Sequence, residues 1–198
     1  MDGSISLGEY NNCLIICDDS AFTDLLASKV FANKLAPFEE TLSAIFPGSE
    51  ILTIACHSAT NYHLYSLALN GKRLRYKGLD ADTPRVEYGE RLQEETDIYD
   101  RSRMINGVLL FAEGEAEDDD EFEYTEDQLM EDFAFGVAGR HLGSRIDEDD
   151  ELNEVVFRKY KGHSLPGKER IVAQNKPAVL EKEKVKGSWL SRLFGKFR

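Results

Sequence analysis

Asn70-Gly71 constrains this chain more than any other dipeptide, because it stands between two segments with strand-like alternation. Both residues tolerate the positive φ that a type I′ turn needs, so the flanking segments are predicted to pair as an antiparallel hairpin. Ahead of the turn, Tyr62, Leu64, Ser66 and Ala68 alternate with His63, Tyr65, Leu67 and Leu69. Both sets are largely apolar, the pattern of a central strand covered on two faces. Behind the turn, Leu74 and Tyr76 share one face and Arg73, Arg75 and Lys77 the other, which predicts a strand with one solvated side. Residues 51–57 read as a further buried strand. The predicted class is α+β, with an antiparallel sheet of about five strands built around residues 51–79 and packed against helices.

The flanking sequence supplies those helices. A strand over 11–17 is followed by an amphipathic helix from Ser20 to about Asn33, with Phe22, Leu25, Leu26, Val30 and Phe31 inward. Pro37 opens a second helix that turns Phe38, Leu42, Ile45 and Phe46 inward. Residues 85–90 form a short edge strand, with Val86 and Tyr88 on one side, and 104–111 a single further strand. Residues 114–123 are so acidic that they read as a mobile surface loop. Thr125 and Gln128 have capping-box spacing ahead of a helix that runs to Leu142 and stops at Gly143. Leu152, Val155, Val156 and Tyr160 close the domain as a short packed element.

Charge divides the chain. Residues 1–160 hold 14 Lys and Arg against 34 Asp and Glu, a balance of −20, whereas 161–198 hold 10 against 3, a balance of +7. An acidic body of this kind excludes nucleic-acid binding through the domain, since phosphate neutralisation needs a basic surface. The predicted organisation is one acidic domain over 1–160, a flexible basic linker over 161–187, and an amphipathic helix over 188–198. That last segment puts Trp189, Leu190, Leu193, Phe194 and Phe197 on one helical face, with Arg192 and Lys196 beside it. Such an aromatic and basic stripe suits docking on an anionic membrane surface or in a partner's groove, or folding back onto the acidic body.

No apolar run approaches the roughly 20 residues that span a bilayer, and Met1-Asp-Gly-Ser4 has no basic segment leading into an apolar one. The expected location is the cytoplasm, extending to the inner membrane face where the tail docks. Cys13, Cys17 and Cys56 are an odd, small set that suits a reducing compartment. Cys13 and Cys17 on one strand would stand about 13 Å apart, too far for a disulfide.

Candidate chemistry is sparse. His57-Ser58 at a strand end could carry a base or nucleophile, but neighbours on a strand point to opposite faces, so this His cannot readily activate its own Ser. Asn61, Arg75 and Glu90 could join His57 and Ser58 in a polar ligand-binding pocket. Cys56, His57 and His63 flank one turn, yet Cys56 and His57 face apart and no CxxC or HxxxH spacing recurs. No phosphate-binding Gly-rich loop and no EF-hand pattern is present. The expectation is therefore no catalytic residue, no metal and no cofactor.

Several short motifs carry a resemblance. His57-Ser58 at a strand end, a hairpin with Gly71 at its turn and Leu74-Arg75 on its return, and Gly89-Glu90-Arg91-Leu92 resemble a family of bacterial proteins of unknown function. The acidic stretch, the Phe133 to Gly143 helix and the closing Tyr160 are similar too. The likeness spans about residues 13–160 and implies one folded unit but no activity. The chain is thus expected to be a non-enzymatic interaction or adaptor protein recruited through its C-terminal segment, with a small hydrolase-like or ligand-binding protein using His57, Arg75 and Glu90 as the alternative. The identity of its protein partner and its oligomeric state lie beyond the sequence.

Overall fold

The computed structural model describes residues 4–18, 26, 29–57, 62–79, 85–112, 116, 118–148, 152 and 154–161. The expected first helix falls mostly outside them, as do the linker and the 188–198 segment. Among the described residues the fold is α+β, with antiparallel strands packed against helices, as expected. The single five-stranded sheet is not found. There are instead three sheets, of four, three and two strands.

The four-stranded sheet runs in the order β3 (Glu50–His57), β4 (Tyr62–Leu69), β5 (Lys72–Leu79), β6 (Val86–Tyr88). Its centre is the predicted hairpin, with Asn70 and Gly71 both at positive φ, 50° and 72°. β4 is buried along nearly its whole length, as its two-sided apolar pattern requires, and β6 is the short edge strand expected from Val86 and Tyr88. The three-stranded sheet, β2-β1-β9, joins β1 (Ser4–Tyr10) and β2 (Cys13–Asp18) through a turn with Asn11 and Asn12 at φ 46° and 60°, and adds β9 (Arg158–Lys161). β1 was not expected, although Ile5 and Leu7 alternate ahead of the Asn pair. The expected single strand over 104–111 is a hairpin, β7 (Ser102–Ile105) and β8 (Val108–Phe111), because Asn106-Gly107 takes φ 51° and 82° and folds it in two.

Among the described residues three α-helices are seen along their length. α1 (Pro37–Ile45) starts at Pro37 as predicted, but Ile45 and Phe46 are 59% and 40% exposed while Glu39 is fully buried. α2 (Gln93–Tyr99) was not anticipated. α3 (Met130–Leu142) follows a turn in which the Thr125 amide donates to Gln128 Oε1 at 2.9 Å, and ends at Gly143 in the left-handed conformation, φ 87°. α1 covers one face of the four-stranded sheet, where Leu35, Leu42, Ile51 and Ala68 meet, beside a second group of Leu26, Ala36 and Leu64. α2 and α3 cover the other, packing Ile98, Tyr99, Met130, Phe133 and Val137 on Cys56 and Tyr65. The acidic stretch is not wholly detached either: Phe122 is buried, and the Arg103 guanidinium stacks 4.5 Å from its ring centroid.

The largest departure from expectation is on β5. Arg73, Arg75 and Lys77 are 6%, 1% and 0% exposed, whereas Leu74 is 39% exposed. Helices cover both faces of β5, and a β-bulge divides the cations between them: Leu67 pairs with Arg75 and the adjacent Ala68 with Arg73, so Leu74 has no residue opposite. One extra residue reverses the side-chain alternation before it. Arg73 therefore points to the α1 face, and Arg75 and Lys77 to the face of α2 and α3.

Candidate functional site

Each buried cation of β5 meets a carboxylate from the element covering it. Arg73 Nη1 and Nη2 donate to Glu39 Oε1 and Oε2, both at 2.6 Å, and Ser66 Oγ donates to Glu39 Oε1 at 2.8 Å. Glu39 Oε2 also accepts the amide of Ala36, the residue that caps α1. On the opposite face Glu95 repeats the arrangement. It accepts Arg75 Nε and Nη2 at 2.9 and 2.7 Å, the Tyr65 hydroxyl at 2.5 Å, and the amide of Leu92, the cap of α2. In both helices the N3 glutamate satisfies an otherwise orphaned N-terminal amide, the reciprocal half of a capping box. A capping glutamate normally sits at the surface; these two are fully buried and neutralised by arginine.

Arg75 has no donor to spare. Its remaining N–H groups go to the Tyr88 and Gly89 carbonyls at 3.4 and 3.0 Å and to Glu87 Oε2 at 2.7 Å, so all five guanidinium donors are engaged. Burial opposes its charge, and the hydrogen bonds to Glu95 and Glu87 more than offset that, holding it firmly protonated. Lys77 lies under a cap of aromatic rings, 3.4 Å from the Phe133 centroid and 4.8 Å from that of Tyr99, and its Nζ reaches Glu126 at 2.9 Å. Burial pulls its pKa below the ordinary lysine range, against the pull of Glu126. The Tyr99 hydroxyl also donates to Glu126, and Arg85 carries the network to the surface through Glu126 and Glu87. With both buried carboxylates paired and every Arg75 donor engaged, and only Arg73 Nε left without a partner among the described residues, the network acts as a frame for the fold.

Glu87 offers a graded test. Despite partial burial, Arg75 and Arg85 hold its carboxyl below the usual range, so its share of stability is present above about pH 4.5 and lost as pH falls through its folded value. Glu87→Gln should cost about 1 kcal/mol at pH 7, and its urea midpoint should converge on the wild type at pH 3. A gap that persisted at pH 3 would mean the side chain acts by packing.

Of the predicted pocket residues, Arg75 and Glu90 are the two whose side chains are described. Arg75 is consumed as described, and Glu90 is exposed on the segment between β6 and α2. The His57 backbone pairs with Tyr62, but its side chain, Ser58 and Asn61 lie outside the described residues, as do Trp189, Leu190, Arg192, Leu193, Phe194, Lys196 and Phe197. One motif residue, Gly89, has structural work of its own. A Cβ on Gly89, at φ 82°, would lie 1.9 Å from the Leu74 carbonyl oxygen, so only glycine lets this segment close over the bulge and place Leu92 at the head of α2.

Two further features stand apart from the network. Cys56 and His63 are direct cross-strand partners in β3 and β4, and Glu131 from the first turn of α3 comes down on them. One ligand atom from each lies within 4.8 Å of the others. Burial, then Glu131, raises the Cys56 thiol pKa, and burial with Asp132 and Asp147 raises that of Glu131. An open groove of about 650 Å³ lies on the three-stranded sheet, lined by Leu7, Leu14, Val156 and Tyr160 together with Glu9, Glu154 and Arg158. No family model, curated protein or solved structure matches the chain.

Proposed function

We propose that the chain is a non-enzymatic interaction protein recruited through residues 188–198 to an anionic membrane surface, or to a protein partner with an acidic, apolar groove. The division of charge supports this reading: −20 over 1–160 against +7 over 161–198. The buried cations of β5 are matched by Glu39, Glu95 and Glu126, so the body's acidic surplus remains on its surface and repels phosphate. The basic surplus instead lies beside Trp189, Leu190, Leu193, Phe194 and Phe197, an apolar face that a headgroup layer or groove would bury. Arg75 has no free donor and Glu90 is exposed, which ranks a ligand-binding pocket at His57 second. The groove on the three-stranded sheet offers the tail another place, since Leu7, Leu14 and Val156 could meet its aromatic face and Glu9 and Glu154, beside Arg158, its basic residues.

Trp189 is the chain's only tryptophan, so its fluorescence reports on this segment alone. In the full-length protein its emission should shift to the blue on adding anionic vesicles, less so as salt is raised, and not with zwitterionic ones. No shift with either vesicle rules out the membrane. Emission already blue-shifted and protected from quenchers in the free protein assigns the tail to its own body.

A further inference from the structure

We propose that Cys56, His63 and Glu131 form a binding site for one divalent cation of the zinc type, on the face of the four-stranded sheet that α3 covers. The inference is independent of what the C-terminal segment docks on. Three elements supply the ligands, and each is fixed by packing. The β3–β4 register sets Cys56 directly opposite His63, and directly opposed residues hold their Cβ atoms about 4.5–5.5 Å apart on one face of a sheet. α3 packs on both strands and lowers Glu131 from its first turn.

The donor set suits the ion. Thiolate, imidazole and carboxylate are the three zinc ligands, with bonds of about 2.0–2.3 Å, which put ligand atoms roughly 3.3–3.7 Å apart in a tetrahedron. The observed atoms lie within 4.8 Å of one another, so binding would draw them in by roughly 1 Å. Charge closes as well: with neutral His63, the Cys56 thiolate and Glu131 carboxylate together balance a divalent cation. That matters because Cys56 and His63 are 7% and 3% exposed, and an unbalanced charge there would be costly. Glu131 Oε1 is moreover buried with no hydrogen-bond partner, which buried acceptors rarely tolerate. A cation would satisfy it. Three protein ligands leave a fourth position, for water or a small anionic group.

Cobalt provides the test, since a thiolate bound to Co2+ gives a charge-transfer absorption that a carboxylate or imidazole alone does not. The full-length, reduced protein should bind one equivalent with that absorption and lose it on adding Zn2+. Cys56→Ser should abolish the band, Glu131→Gln should weaken cobalt binding by at least about tenfold, and Cys13→Ser and Cys17→Ser should change neither. Near-UV circular dichroism reports whether each variant is folded; if Cys56→Ser is not, Glu131→Gln decides. A band that survives Cys56→Ser, wild-type affinity in folded Glu131→Gln, or no saturable band in the wild type overturns the site. Cys56 is then a small buried apolar residue.

Discussion

Arg75→Ala should destabilise the domain by about 3–5 kcal/mol, because it strands the buried Glu95 carboxylate rather than merely removing an attraction. Glu95 would keep the Tyr65 hydroxyl and the Leu92 amide but lose both charged donors, and the Tyr88 and Gly89 carbonyls would lose theirs. Urea denaturation at pH 7 measures the loss. Adding Glu95→Gln should recover part of it, since a neutral amide can stay buried where an uncompensated carboxylate cannot. A single-variant loss under about 1 kcal/mol would mean that Glu95 escapes to water, and that the network is not a closed one.

Gly89→Ala should be comparably severe, at about 3 kcal/mol or more, while Gly107→Ala should cost only about 1–2 kcal/mol. Both glycines have φ 82°, so the conformational penalty for a left-handed residue is common to them. They differ in surroundings. A Cβ at Gly107 meets nothing within 4 Å, whereas at Gly89 it falls 1.9 Å from Leu74 O and 3.3 Å from Arg75 Cα, both backbone atoms that cannot swing aside. Thermal melts of the two variants side by side isolate the packing contribution. If they melt alike, Gly89 does not rest on the bulge.

Much of the frame was legible. Asn70-Gly71, the two-sided β4, the Pro37 start of α1 and the Gly143 stop of α3 are local signals, and local chemistry fixes them. The faces of β5 were not legible, because a charged residue at period two reads as solvent-facing whether or not a distant carboxylate awaits it. The partners lie 34 and 20 residues away, and the bulge leaves no mark in composition. One signal could have exposed them. Ala36-Pro-Phe-Glu-Glu-Thr41 and Leu92-Gln-Glu-Glu-Thr96 both set Glu at N3 with a Thr one or two residues later, and in each helix that Thr hydroxyl donates to the carbonyl four residues before it. The Cys56–His63 juxtaposition follows from counting back on both sides of the segment that joins β3 and β4. Glu131, some seventy residues further on, does not.

The paired arrangement of Arg73 with Glu39 and Arg75 with Glu95 bears on how this chain avoids misassembly. A sheet held by apolar contacts alone can slide by a residue at modest cost, because one Leu or Val substitutes tolerably for another. Here a one-residue slip of β5 would carry each guanidinium to the face opposite its carboxylate, leaving buried charges of both signs without counter-ions. Skipping the bulge would misdirect Arg73 alone and still open one helix cap. The two ion pairs thus act as a proofreading key: they discriminate against mispaired sheets far more sharply than they stabilise the correct one.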